Sequence, residues 1–249
     1  MDELKLKDST LNNLMDKTLA EIVTDNIRSA IIFEEAGLDF CCKGKRSLKD
    51  ACAEKKVDVQ KIVNELINLS GDGNETQNVD DWQLDFLVDY IMNNHHQYVR
   101  RMIPVITLHA DKVASVHGKN HLETIKIADL FLAVREELEM HMMKEERILF
   151  PQIKQMILNQ KENSQFFPPA FGTIQNPIRM MEYEHTNAGD ALYQIRELSN
   201  NYSHPEDACN TFKALYSELK EFEEDLHKHI HLENNILFPK SIELESQLV

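Results

Sequence analysis

Two stretches of the chain pair a histidine with a glutamate four residues on: His141-Met-Met-Lys-Glu145-Glu-Arg-Ile-Leu-Phe-Pro151 and His229-Ile-His-Leu-Glu233-Asn-Asn-Ile-Leu-Phe-Pro239. On a helix that spacing projects both side chains from one face about a turn apart. Imidazole suits iron, zinc and copper, and a carboxylate can bridge two cations while offsetting their charge, so the chemistry in view is metal coordination. A single His-x-x-x-Glu is usually no more than a pair on a helix surface. Here the unit occurs twice and is followed both times by Ile-Leu-Phe-Pro, which is expected to close each helix against the core.

Each unit is also preceded by a histidine at a matched distance: 45 residues separate His96 from His141, and 44 separate His185 from His229. The chain therefore reads as two helix hairpins in tandem. Folded together, they bring His96, His141, Glu145, His185, His229 and Glu233 into one bundle core, the setting in which facing helices build two-metal sites. An ordinary core would use leucine at these places, because burying four imidazoles and two carboxylates without partners is costly. Glu145 and Glu233, one per hairpin, are the natural bridges. Six side chains do not fill two six-coordinate irons, so an oxo or hydroxo bridge and an exchangeable position for nitric oxide or dioxygen are expected. His95, His231 and His227 fall off the ligand face and are expected in solvent. His117, Glu137, Glu184 and Asp225 stand near the proposed ligands as candidates to orient imidazoles or relay protons.

These residues need helices to carry them. Helical periodicity runs over about 82 to 116, 122 to 158, 177 to 200 and 207 to 238, which gives four antiparallel helices. Pro104 is expected to kink or break the first, and 159 to 176, with its Phe-Phe-Pro-Pro, reads as a loop. Ahead of them, Leu4 to about Leu69 reads as short helices, with Leu19, Ile22, Val23, Ile27 and Ile31 at helical spacing and a break from Gly37 to Gly44. Ser70 to Asp81 gathers glycine, asparagine and acids without an apolar period and reads as a linker. The expectation is an all-α protein: a small helical domain over 1–70, a linker over 71–81 and a four-helix bundle over 82–249.

The bulk composition agrees with a helical globular chain. Hydrophobic residues make up 42% of the 249, and glycine and proline number only seven each. A formal net charge of -15 argues against nucleic acid or an anionic membrane as partner, since both need a basic face. The N-terminus lacks a basic start followed by an apolar run, and no stretch is long enough to cross a bilayer, so a cytoplasmic protein is expected. Four cysteines are too few for a disulfide framework. Two of them, Cys41 and Cys42, are adjacent and are followed by Lys43, Lys45 and Arg46, whose charge would favour the thiolate and with it redox chemistry or metal binding. The plainer reading makes them small apolar loop residues.

The blocks around His141–Pro151 and His229–Pro239, with Glu182-Tyr-Glu-His185, resemble the hemerythrin-like domain of the repair-of-iron-centres family. Asp39-Phe-Cys41-Cys42-Lys-Gly44-Lys45 resembles the short module joined to that domain, so the resemblance spans nearly the whole chain. It implies a hemerythrin-like bundle and two irons per chain held by His96, His141, Glu145, His185, His229 and Glu233. It also implies restoration of iron–sulfur clusters damaged by nitric oxide or oxidative stress, with iron donation as one route. Damaged iron–sulfur proteins would be the partners, and a homodimer is compatible with this. The adjacent cysteines then become redox or iron-handling candidates. Dioxygen-carrying hemerythrins, similar in fold, use a His-x-x-x-x-Asp pair in the last helix, where this chain has His229-x-x-x-Glu233. Two alternatives stand beside repair: a di-iron nitric oxide reductase or peroxidase, and a sensor of dioxygen, nitric oxide or iron.

Overall fold

The computed structural model describes residues 13–70 and 79–249. The expected linker falls mostly outside them, as does the start of the N-terminal helical pattern. Among the described residues there is no strand; the one ladder contact is an isolated bridge between Thr18 and Ser47. No helix among them is long and apolar enough to cross a membrane.

The chain divides into two compact units. One holds the described residues up to Gln83 together with Ile230–Pro239; the other holds Leu84–His229 and Lys240–Val249. The first is built from the helices Leu19–Asp25, Ser29–Ala36, Leu48–Lys55 and Val59–Ser70, with a 3-10 turn at Val79–Asp81. Thr18 starts the first helix with a capping box: its side chain accepts from the Glu21 N–H at 3.1 Å, and Glu21 accepts from the Thr18 N–H at 2.8 Å. Gly37, at φ +65, ends the second helix in the left-handed conformation that glycine adopts without strain. Leu19, Val23, Phe33, Phe40, Leu48 and Val63 form its core. The break between helices is held close: the Ala20 N–H donates to the Gly44 carbonyl at 2.9 Å, and a Cβ on Gly44 would collide with the Phe40 carbonyl oxygen. Lys43 in that break takes no left-handed φ, so the turn makes no demand for glycine there.

The second unit carries the bundle. Its first helical run covers 84–117, its second 123–162, its third Gln175–Leu198 and its fourth begins at Asn210. Pro104 lies inside the uninterrupted helix Gln97–His117, so the expected break is absent. The helices also do not close at Ile-Leu-Phe-Pro. The second run continues to Glu162 and the fourth to Leu248, each through a π-turn, Glu145–Leu149 and Glu233–Leu237. In each, the Phe N–H just before the proline bonds the carbonyl of the glutamate five residues back, Phe150 to Glu145 and Phe238 to Glu233. The widened turn lets the helix pass a residue that has no N–H to donate. A third π-turn, Ile91–His96, interrupts the first run. Apolar residues such as Phe131, Leu192, Phe222 and Leu226 fill the bundle interior away from the six His and Glu positions.

Candidate metal centre

Helical geometry brings the six expected residues together, each at most 2% exposed. Three of them mark the π-turns: His96 ends Ile91–His96, Glu145 opens Glu145–Leu149 and Glu233 opens Glu233–Leu237. A π-turn inserts a residue and re-aims the side chains around it, and such turns concentrate at functional sites. His141 stands one turn before Glu145, and His229 one turn before Glu233 on the same helical run. His185 comes from the middle of Gln175–Leu198.

The donor atoms fall into two groups, each within 4.8 Å: His96, Glu145, His229 and Glu233 in one, His141, Glu145, His185 and Glu233 in the other. Both glutamates belong to both groups. Glu145 Oε2 lies 3.3 Å from His96 Nε2 and 3.3 Å from His141 Nε2. The Nε2 atoms of His141 and His185 face each other at 3.0 Å. Bonds of about 2.1 Å, typical of imidazole and carboxylate on divalent transition cations, put neighbouring donors of an octahedron about 3.0 Å apart. The observed spacings match the edges of such a polyhedron, so the donor set fits metal.

The far nitrogens of two of the imidazoles, those of His96 and His141, meet carboxylates, as ligand histidines do in metalloproteins. His96 Nδ1 lies 2.7 Å from Glu146 Oε1, and Glu146 also accepts from Arg100 Nη2 at 2.8 Å. His141 Nδ1 lies 3.0 Å from Glu184 Oε2, and Lys144 holds the other oxygen of Glu184. The hydrogen bond from His141, with Lys144 beside it, pulls the Glu184 carboxyl down to about 2. Both carboxylates are thus set to hold the Nδ1–H tautomer, leaving Nε2 to face the metal.

Among the other sequence candidates, Glu137 is exposed on the second helix, and His117 stands at the end of Gln97–His117 beside Cys209, 3.3 Å from its sulfur, away from the centre. Asp225 lies 3.1 Å from His95 Nδ1. His95 was expected in solvent but is 6% exposed and stacks on the His229 ring at 5.5 Å. His231, likewise expected in solvent, is fully buried; burial pushes its imidazole down to about 4. Its Nε2 lies 3.3 Å from Thr24 Oγ1 and its ring edge meets Phe40. His227 is half-buried. Spacing missed Glu146: it follows Glu145 directly, which on a regular helix turns it about 100° off the ligand face.

At Cys41-Cys42 the side chain of Asp39 organises the loop. Its Oδ1 accepts from the backbone N–H groups of Cys41, Cys42 and Lys43 at 3.2, 2.9 and 3.2 Å. Asn235, one turn after His231, donates to the Cys41 carbonyl at 3.2 Å. The expectation of a thiolate favoured by Lys43, Lys45 and Arg46 does not hold for Cys41. Cys41 is buried, and the hydrogen bond to Cys42, burial and the nearby Asp39 carboxylate all raise its thiol well above the ordinary range. Cys42 is partly exposed, and the two sulfurs are 3.8 Å apart.

An antiparallel helical bundle with two interlocking His–Glu donor groups in its core is a cation-binding bundle of the hemerythrin class. The family model for the hemerythrin HHE cation binding domain matches residues 87–241, and that for a domain of unknown function, DUF542, matches 15–70. Proteins named iron-sulfur cluster repair protein YtfE are similar over most of their length. That of Musicola paradisiaca is 35% identical over 93% of this chain and 98% of its own. That of Enterobacter sp. strain 638 is 38% identical over 91% and 97%, and that of Citrobacter koseri 37% over 91% and 97%. The chain belongs to this repair-of-iron-centres family, with its hemerythrin-like domain and short N-terminal module.

Proposed function

We propose that the protein is a di-iron protein that restores iron–sulfur clusters damaged by nitric oxide or oxidative stress. The observation that carries this reading is the sharing of Glu145 and Glu233 between two donor groups, in a chain similar over 93% of its length to a protein named for iron–sulfur cluster repair. His96 and His229 hold one iron, His141 and His185 the other, and the two glutamates span both. Two irons joined by an oxo or hydroxo bridge supply an exchangeable position for nitric oxide or dioxygen and, as cargo, iron for rebuilding a cluster.

The chain's own residues do the rest. Glu146 and Glu184 orient His96 and His141 through their Nδ1 atoms and offset the positive charge that the centre gathers. Apolar packing around the core excludes water. Cys41 is buried with its thiol pushed up, whereas Cys42 is partly exposed, so Cys42 is the thiol open to exchange, with Asp39 and Asn235 holding the loop that presents it. The N-terminal module, 1–70, and the bundle, 82–249, divide these tasks, with 71–81 linking them. A damaged iron–sulfur protein is the partner, and the cytoplasm, where such proteins are made, the place.

The test is metal analysis with an optical spectrum, followed by recovery of activity in a nitric-oxide-damaged iron–sulfur enzyme. Two irons per chain, oxo-to-iron charge-transfer bands and recovery dependent on Glu145 are expected. A single bound metal, or recovery equal to that given by free ferrous iron, would sink the reading. Stoichiometric turnover of nitric oxide to nitrous oxide by the reduced protein, without recovery, would replace it with a reductase.

A further inference from the structure

The turn that leaves the first bundle run carries a second histidine pair. His117 ends the helix Gln97–His117, and the His121 N–H donates to the His117 carbonyl at 2.9 Å. The two imidazoles are therefore one helical turn apart, the spacing at which two ring nitrogens can reach one ion. Both rings are backed by Phe212, with centroids 5.2 and 5.7 Å from it, and lie 6.3 Å from each other.

Facing them is Asp207-Ala208-Cys209, just ahead of the helix that starts at Asn210. His117 Nε2 lies 3.3 Å from Cys209 Sγ, and His121 Nε2 lies 3.0 and 3.1 Å from the two oxygens of Asp207. On its other side His121 Nδ1 lies 3.2 Å from Glu123 Oε1. Glu123 is placed to hold Nδ1–H, as carboxylates do behind metal-binding histidines, so a cation at Nε2 would take the place of the proton shared with Asp207. The cluster is remote from the six core ligands: the helix from His96 to His117 spans roughly 30 Å.

We propose that His117, His121, Cys209 and Asp207 form a second metal site, for a borderline divalent cation of the zinc kind. Two imidazoles, a thiolate and a carboxylate are a tetrahedral zinc donor set. Bonds of about 2.0–2.3 Å put neighbouring donors of a tetrahedron roughly 3.3–3.6 Å apart. The two donor pairs already stand close to that spacing. No three of these four donors all lie within 4.8 Å of one another, so one ion would draw the two pairs together by rotation of the exposed Cys209 and Asp207 and of the imidazoles against Phe212. On binding, the Cys209 thiol gives its proton to solvent and the sulfur becomes a ligand; the charge of the thiolate and Asp207 balances that of the cation. The ion would pin the 117–121 turn to the end of the 199–209 connection. That connection holds Asn200, Asn201 and Tyr202 in three successive left-handed conformations, a strained path that a fixed end would help to maintain.

Iron-loaded full-length protein titrated with cobalt(II), a spectroscopic probe of zinc sites, tests this. A thiolate-to-cobalt band should grow in, saturate at one cobalt per chain without loss of iron, and bleach on addition of zinc. Cys209→Ser should abolish the band, whereas Cys41→Ser with Cys42→Ser should leave it. His121→Ala, with unchanged iron content and helical circular dichroism, should weaken zinc binding at least about tenfold. No band, a band that survives Cys209→Ser, or one lost only with Cys41 and Cys42 would overturn the site. So would cobalt uptake matched by iron release.

Discussion

Glu145 and Glu233 each belong to both donor groups, whereas every histidine belongs to one. Loss of either carboxylate should therefore cost more metal than loss of one imidazole. Glu145→Leu or Glu233→Leu should leave iron content far below that of Glu137→Leu, whose residue is exposed on the second helix; retention of two irons in a bridge variant would refute the assignment. Replacing a buried charge by an apolar residue of similar size removes a desolvation cost. The iron-free Glu145→Leu protein should accordingly melt no lower than iron-free wild type. A lower melting temperature would mean that Glu145 serves the fold before the metal. Glu146 acts through His96, so Glu146→Gln should lower iron affinity about 10- to 100-fold while keeping the fold. Metal-binding isotherms with a chelator of known affinity would read this, and an unchanged isotherm would reduce Glu146 to a partner of Arg100.

The helices that carry these residues owe their ends and their irregularities to identifiable groups. In the N-terminal unit, Thr18 and Glu21 satisfy the first N–H groups of Leu19–Asp25. The hydrogen bonds from the Thr18 backbone and hydroxyl hold the Glu21 carboxyl below its ordinary 4.5. A group whose folded value is lowered adds stability above its unfolded value, and that stability is lost as pH falls through the folded one. Thr18→Ala should thus cost about 1 kcal/mol near pH 7 and less near pH 3, measured by urea unfolding; an equal cost at both would mean that Glu21 contributes nothing through its charge. In the bundle, Glu223 is buried, yet the Arg196 guanidinium donates to it at 2.8 and 2.9 Å and the Tyr202 hydroxyl at 2.7 Å. This network fastens the left-handed turn at 200–202 to the fourth run. Glu223→Ala would leave a largely buried guanidinium without its carboxylate, at about 3 kcal/mol, visible as a lower denaturation midpoint.

For the molecule as a whole, a metal in the core would be coupled to folding, because the donors come from all four helical runs. A ligand that binds only the native state stabilises it by about 2.7 kcal/mol at a free concentration a hundred times its dissociation constant. Iron-free protein should melt lower by a matching amount in calorimetry, and equal melting temperatures would argue against a core site. The N-terminal unit includes Ile230–Pro239, so one stretch of the last run presents His231 and Asn235 to the Phe40–Cys41 loop and carries Glu233 on the turn between them.

The helical class and the tandem hairpins were legible in the sequence, because a 3.6-residue period and a repeated His-x-x-x-Glu depend on local geometry alone. The six core residues were legible too, since four histidines and two glutamates at matched spacing are an improbable way to fill a bundle. Local geometry also misled: Ile-Leu-Phe-Pro looked like a helix end, yet π-turns carry both helices through the prolines. Those turns are chosen when a packed helix loses less by widening one turn than by stopping short of its core contacts. His95 and His231 were expected in water because their own helix turns them from the ligand face; only segments distant in sequence, which supply Asp225 and His229 to one and Thr24 and Phe40 to the other, bury them. The same holds for Glu146 behind His96, for the protonated Cys41 and for Cys209 beside His117. Each depends on a group far away in sequence, and a residue's burial, charge partners and proton are properties of its surroundings, which the fold brings together.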